Sequence, residues 1–175
     1  MYNPQFVHST YFKLYDRILN DPKLQETARK HGYRLCMFLH PKLSAQTADF
    51  PASDVVQSVN SAEEMDYVTS MRQSDLMVTD YSSVQYDFAY MRKPVVYYHD
   101  PALPHWRILP DGYEKIVLGE IARSAEELVD VLCGYMEGGC ALKPEYRERI
   151  ESFFLQKDRC SAKRLYEATR KLTDR

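Results

Sequence analysis

The sequence predicts an α/β domain in which helices flank a largely parallel β-sheet. Segments with helical periodicity alternate along the chain with short apolar runs of strand length, which is the pattern of that class. The 175 residues, 45% of them hydrophobic and 27% charged, suit one globular domain and exclude disordered and low-complexity classes. We therefore expect residues 1–175 to form a single domain.

Apolar runs predict four strands and a shorter fifth. The clearest is residues 95–98 (VVYY), since it is wholly β-branched and aromatic. With the run at 76–79 and the helix between them, it forms a strand-helix-strand unit. In chain order, the predicted strands are residues 34–39, 55–59, 76–79, 95–98 and 115–118.

Capping residues predict where the helices begin and end. An Asp-Pro pair starts the second helix, which stops at Gly32. Capping boxes at 61–64 and 124–127 open two later helices, and Ser82 and Gln85 stand at the same spacing. Residues expected to face inward from the helix after Pro144 are Tyr146, Ile150, Phe153 and Phe154.

Charge, cysteine content and missing motifs exclude several classes of function. Lys+Arg 23 against Asp+Glu 25 gives a net charge of −2, so no nucleic-acid partner is expected. No basic leader and no apolar run near ~18 residues indicates secretion or a membrane span. Signatures of dinucleotide enzymes, P-loop ATPases, zinc proteases and serine hydrolases are absent. The cysteines, expected to be reduced thiols, are Cys36, Cys133, Cys140 and Cys160.

The end of the strand at 76–79 is the most informative candidate site. Ligands of an open parallel sheet bind beyond the carboxyl ends of its strands. Thr79, Ser82 and Ser83 place small hydroxyls beside the amides that begin a helix, which predicts a cradle for a phosphate. Ser82 is alternatively only a helix cap. Asp80 would repel a phosphate, so we expect it to orient amides, the turn or a sugar hydroxyl.

Further polar residues follow the other strands. His40 is either an ordinary strand-terminal histidine or a general base or phosphate ligand, because imidazole titrates near neutral pH. Lys42 is a phosphate partner or a loop lysine. Asp87 is a solvated acid or, as we favour, a structural hydrogen-bond partner. His99 and His105, which flank a proline-rich loop, are expected at the surface.

One block of the sequence resembles a known family. Residues 74–98 (SDLMVTDYSSVQYDFAYMRKPVVYY) look like the signature of the CDP-glycerol glycerophosphotransferases, the teichoic acid polymerases and primases. The likeness also covers residues 9–13 (STYFK), 38–41 (FLHP) and 146–154, and extends to Asp158 and Arg164.

This resemblance implies a fold and a reaction. The fold is a Rossmann-like domain, the C-terminal half of a GT-B glycosyltransferase-type fold in which two such domains face each other. The reaction transfers glycerol phosphate from CDP-glycerol, or a related CDP-alditol, to a lipid-linked, teichoic-acid-type polymer and releases CMP. His40 resembles the catalytic histidine at the donor diphosphate, and Thr79, Ser82 and Ser83 resemble its cradle. No cofactor is expected, and hydroxyls and amides rather than magnesium are expected to neutralise the phosphates.

The same resemblance implies partners. Family members carry a further N-terminal domain and a Pro-Thr-Trp-Arg segment ahead of the helix near Ser9, so we expect this chain to be the donor-binding half. Its location is expected to be cytoplasmic, peripheral at the inner face of the membrane. The alternatives are a sugar-nucleotide glycosyltransferase domain of the same fold and a non-catalytic interaction domain. Basic residues that serve a membrane contact, or simply a solvated face, are Lys143, Arg147, Arg149, Lys157, Arg159, Lys163 and Arg164.

Overall fold

A computed structural model describes residues 2–59, 67–80, 82–103, 112–156 and 158–173 of the chain. The α-helices are α1 (Thr10–Leu19), α2 (Pro22–His31), α3 (Tyr67–Gln73), α4 (Val84–Tyr90), α5 (Ala125–Glu137), α6 (Pro144–Phe153) and α7 (Ser161–Thr173). The strands are β1 (Leu35–Phe38), β2 (Val56–Val59), β3 (Met77–Thr79), β4 (Val95–Tyr98) and β5 (Glu120–Ala122). Short 3-10 helices cover Phe6–His8, Pro41–Asp49 and Tyr113–Lys115.

The strands pair in parallel, which confirms the predicted α/β class. β1 pairs with β2, and β3, β4 and β5 form a second sheet in that order. The single sheet expected from the sequence is therefore divided, because the described residues of β1 and β3 belong to different sheets. Apolar runs indicate which segments are extended, whereas pairing between them depends on contacts far apart in the chain.

β4 is the central strand of the larger sheet and is buried on both faces. Val96 and Tyr98 pack into a core cluster with residues of α1, α2 and α5. Val95 and Tyr97 point the other way, into a second cluster with Phe88 of α4 and residues of α6. Helices on both faces explain why this strand is an unbroken apolar run rather than an alternating one.

The fifth strand lies later in the chain than the sequence predicts. Residues 113–115 form a 3-10 helix, and β5 begins only at Glu120, so the strand predicted at 115–118 is wrong. Gly119 explains the position, because a Cβ atom there would lie 1.9 Å from the carbonyl oxygen of Val95. Only glycine lets the backbone approach β4 this closely at the start of β5.

The predicted caps of α2 and α5 are confirmed. Asp21 accepts a hydrogen bond from the first turn of α2, and Gly32 ends that helix with a φ of +74°. At the start of α5, the Ser124 hydroxyl accepts from the amide of Glu127 at 3.1 Å. The capping box predicted at residues 61–64 lies outside the described residues.

The C-terminal helices are less buried than predicted. Ile150 of α6 is in the core as expected, but Phe153 is 52% exposed, so its predicted inward position is wrong. Its ring stacks instead on the exposed ring of Tyr86, with centroids 5.4 Å apart. α7 buries none of its residues. No helix in the described part of the chain has both the length and the apolar character needed to cross a bilayer.

Candidate active site

A cavity of about 960 Å³ brings several of the predicted site residues together. It is lined by β1 and β3, which belong to different sheets, and by residues of α1, α2 and α5. Polar lining residues at the carboxyl ends of the two strands, at the start of α1 and on α3 are Ser9, His40, Tyr67, Ser70, Thr79, Asp80 and Ser82. The lining also includes the polar residues Arg34, Gln57, Gln73, Ser74 and Asp75.

His40 begins the 3-10 helix that follows β1. Its Nδ1 accepts a hydrogen bond from the amide of Lys42 at 3.2 Å, so the side chain caps that helix. A ring nitrogen that accepts from an amide carries no proton, and a neutral His40 therefore holds its proton on Nε2. The exposed ring then presents an N–H donor, which suits contact with a phosphate oxygen better than proton abstraction.

The turn after β3 holds its hydroxyls through its own amides. The buried Thr79 hydroxyl accepts from the amide of Ser82 at 3.2 Å, and the Ser82 hydroxyl accepts from Val84 at 3.4 Å. The backbone amide of Gln85 donates to the backbone carbonyl of Ser82 rather than to the Ser82 hydroxyl, so the predicted capping box is not formed. α4 instead has Ser83 as its N-cap, without a side-chain cap bond. Most amides expected to bind an anion are thus occupied within the turn, while the hydroxyl protons remain available as donors.

Two tyrosines of α1 lie close to Asp80. Burial, together with the Asp80 carboxylate, raises the pKa of Tyr11 well above its ordinary value. Burial also raises the pKa of Tyr15, with smaller contributions from Tyr11 and then Asp80, and the rings of Tyr11 and Tyr15 lie 4.7 Å apart. Both phenols are therefore neutral hydrogen-bond donors at physiological pH. The sequence carries no local signal for the position of Tyr11 and Tyr15 beside Asp80, because this residue lies more than sixty positions further along the chain.

His99 is buried, contrary to the surface position predicted for it. Its side chain is 6% exposed, and its Nε2 lies 3.2 Å from the backbone carbonyl oxygen of Asp80. Burial lowers the pKa of His99, because the imidazolium form is poorly solvated there. The surface prediction failed because β4 lies in the middle of its sheet, so the residue that follows it is covered by neighbours on both sides. His105 lies outside the described residues.

Three predicted site residues do not line the cavity. Lys42, Ser83 and Asp87 are all exposed. Asp87 makes no side-chain hydrogen bond or ion pair that the described residues show, and its structural role stays a prediction. Of the basic residues, Lys143 pairs with Glu120, and Arg149 donates to the carbonyl of Val117 at 3.2 Å.

The whole sequence then decides the family. It matches the family described as CDP-Glycerol:Poly(glycerophosphate) glycerophosphotransferase over residues 1–171. The chain belongs to this family. The resemblance found in residues 74–98 is thereby confirmed, as is the transferase class at the level of the family.

Two curated relatives of the chain come from Bacillus subtilis (strain 168). The chain is 36% identical over 169 residues to "Minor teichoic acid biosynthesis protein GgaB", covering 95% of this chain and 18% of that protein. It is 30% identical over 103 residues to "Teichoic acid glycerol-phosphate primase", covering 58% of this chain and 26% of the primase. The chain thus spans about a quarter or less of these relatives. No solved structure matches it with significance.

The described part of the chain offers no cluster of metal ligands. No three His, Cys, Asp or Glu side chains there are close enough to hold an ion together. The four cysteines are unpaired thiols, Cys133 and Cys140 buried and Cys36 and Cys160 exposed. At the carboxyl ends of β1 and β3, the cavity is lined by hydroxyl, imidazole and phenol groups that can donate hydrogen bonds and by the carboxylate of Asp80.

Proposed function

We propose that this chain is the donor-binding domain of an enzyme that transfers glycerol phosphate from CDP-glycerol, or a related CDP-alditol, to a teichoic-acid-type polymer. The observation that carries the proposal is the cavity in which His40, Thr79, Asp80 and Ser82 meet at the ends of two strands. Membership in the glycerophosphotransferase family supports the donor and the reaction.

In the proposed reaction, a hydroxyl of the polymer attacks the β-phosphorus of CDP-glycerol. A new P–O bond forms to the polymer, the bond from that phosphorus to the bridging oxygen breaks, and CMP leaves. The hydroxyl proton passes to a base that is proposed to come from outside the described residues, because Nδ1 of His40 already accepts a hydrogen bond from the amide of Lys42. Phosphoryl transfer depends mainly on positioning and on donors aimed at the oxygens where charge develops.

The hydrogen-bond donors at the carboxyl ends of β1 and β3 fit that requirement. Nε2–H of His40 is directed away from the amide that its Nδ1 contacts, and it is proposed to donate to a diphosphate oxygen. The hydroxyls of Thr79 and Ser82 each accept from a backbone amide, which leaves their protons to donate to the diphosphate. Asp80 is proposed to accept from a hydroxyl of the donor, because a carboxylate repels the phosphates themselves.

The domain is proposed to work as one half of a GT-B-type pair. A facing N-terminal half would bring the lipid-linked acceptor and the missing base. The small share of the curated relatives that this chain spans supports the proposal. The chain by itself is then expected to bind the donor without turning it over.

Donor binding is tested by titrating the chain with CDP-glycerol, CDP-ribitol and a UDP-sugar in a calorimeter. CDP-glycerol or CDP-ribitol is expected to bind, and His40→Ala and the double variant Ser82→Ala, Ser83→Ala are expected to abolish binding. Matched controls are His31→Ala and Ser152→Ala, because both residues are exposed and neither lines the cavity. Preference for the UDP-sugar would favour a sugar transferase, and no binding of any of the three would favour a non-catalytic domain.

We further propose that α7 contacts the inner membrane surface peripherally. Leu165, Tyr166 and Leu172 share one face of this helix and are all exposed. The opposite face is basic, which is typical of helices that lie on anionic lipid. Its charged residues are Lys163, Arg164, Glu167, Arg170 and Lys171.

Co-sedimentation with phosphatidylserine vesicles tests the membrane contact. Leu165→Gln with Leu172→Gln is expected to abolish sedimentation without changing the net charge. Glu167→Gln, on the basic face, is expected to retain or strengthen it. Equal sedimentation of the wild type and the double glutamine variant would contradict the proposal.

A further inference from the structure

His99 links the end of β4 to the turn after β3, and that turn borders the proposed donor site. It directly follows β4, and its ring contacts Tyr97 and Tyr113, with centroid distances of 5.8 and 5.6 Å. On the other side, it reaches the backbone of Asp80, directly after β3. A buried histidine thus spans the carboxyl ends of neighbouring parallel strands.

The direction of this hydrogen bond follows from its chemistry. A backbone carbonyl only accepts, so Nε2 of His99 must carry the proton that it donates to Asp80 over 3.2 Å. The pKa of His99 is lowered by burial first and then by the positive charge of Arg123, while Asp80 and Glu114 oppose the shift. The ring is consequently a neutral donor at physiological pH.

The bond from His99 to the Asp80 carbonyl holds the turn after β3 from a neighbouring strand. Within the turn, the amide of Ser82 donates to the Thr79 hydroxyl at 3.2 Å. The Ser82 hydroxyl, a proposed donor to the diphosphate, follows within the same turn. A shift of the Asp80 carbonyl would therefore move that hydroxyl relative to His40 across the cavity.

We propose that His99 is a positioning residue of the donor site. Its hydrogen bond holds the turn after β3 in the position from which the Ser82 hydroxyl reaches the donor diphosphate. The inference rests on the proposed function, since it assigns the diphosphate to that turn. His99 is not among the residues that line the cavity, and its donating nitrogen is bonded to Asp80.

Two substitutions separate the hydrogen bond from the ring. His99→Phe keeps an aromatic ring against Tyr97 and Tyr113 but cannot donate to Asp80. His99→Gln loses the ring, but its side-chain amide nitrogen reaches the place of Nε2. A second pair, His99→Gln against His99→Asn, keeps polarity constant, because the shorter amide falls short of the Asp80 carbonyl. This second pair tests the hydrogen bond even if His99→Phe does not fold.

The readout is the affinity of the whole chain for CDP-glycerol compared with cytidine, which has no phosphate. His99→Phe and His99→Asn are expected to weaken CDP-glycerol binding about fivefold, the equivalent of one hydrogen bond, and to leave cytidine binding within about twofold. His99→Gln is expected to bind both ligands as the wild type does.

Several results would overturn the inference. Equal weakening of both ligands would make His99 a merely structural residue, and unchanged CDP-glycerol binding in His99→Phe would show that the bond does not position the turn. Both results leave the proposed function intact, because the wild type still binds the donor. Failure of the wild type to bind CDP-glycerol would overturn the proposed function and this inference with it.

Discussion

The two histidines that follow strands, His40 after β1 and His99 after β4, occupy opposite environments. His40 is exposed and uses Nδ1 as an acceptor, which leaves an N–H at the cavity. His99 is 6% exposed, and its N–H donates a hydrogen bond to a backbone carbonyl. The same residue type at the same kind of strand end is therefore proposed to contact a ligand in one case and to position the site in the other. What separates them is the place of the strand, since β1 has one neighbour and β4 has two.

The burial of β4 and of His99 depends most on the close approach of β5 to β4. Gly119→Ala would put a Cβ atom 1.9 Å from the Val95 carbonyl oxygen, and the strands would have to separate. We expect the free energy of unfolding to fall by about 3 kcal/mol, measured by urea denaturation. Gly134→Ala is the control, because it meets nothing within 4 Å and lies inside α5. Equal stability of the two variants would show that β4 is not tightly enclosed.

The two histidines should differ clearly in their effect on stability. His99→Phe removes the hydrogen bond from the buried imidazole to the partly buried Asp80 carbonyl, so we expect a loss of about 1.5 kcal/mol in the free energy of unfolding. Urea denaturation of His99→Phe beside His99→Gln measures the contribution of the bond. A loss as large in His99→Gln would assign the effect to the ring rather than to the hydrogen bond.

The pH dependence of stability should also separate the buried histidine from the exposed one. Because burial lowers the pKa of His99, the folded state binds fewer protons than the unfolded state. Its contribution is full above the unfolded value near 6.5 and is lost as the pH falls toward the folded pKa, by at most about 1.4 kcal/mol per pH unit. Denaturation between pH 5 and about 8 should therefore show a shallower slope in His99→Phe than in the wild type. Identical slopes would contradict a buried neutral ring.

The smallest effect on stability is expected at the exposed histidine, His40. His40→Ala removes one bond to the Lys42 amide at the start of a 3-10 helix, so we expect a loss of about 0.5 kcal/mol in the free energy of unfolding. The same variant is expected to abolish donor binding. A stability loss as large as that of His99→Phe would show that His40 is a structural residue as well.

Local signals account for the parts of the fold that the sequence predicts correctly. The caps at Asp21, Gly32 and Ser124 depend on residues within one helical turn, and each appears where expected. The β4 run is also local, since two-sided burial requires apolar residues at every position. The position of β5 was missed because the reason for Gly119 is its distance to Val95, a long-range contact.

The candidate site shows the same limit. His40, Thr79, Asp80 and Ser82 were predicted because strand ends and helix starts can be recognised in the sequence, and the cavity brings them together. The sequence does not show that Ser82 bonds to Thr79 and Val84, so the expected open amides were overestimated. The burial of His99 follows from the order of the strands, and that order is absent from any single segment.

The donor site itself is tested most directly by a crystal structure of the chain soaked with CDP-glycerol. We expect the diphosphate between Nε2 of His40 and the hydroxyl of Ser82, within the cavity that β1 and β3 line. Density for the ligand elsewhere, for example in the separate groove beside β2 that Arg34, Thr47 and Ser58 line, would contradict the account.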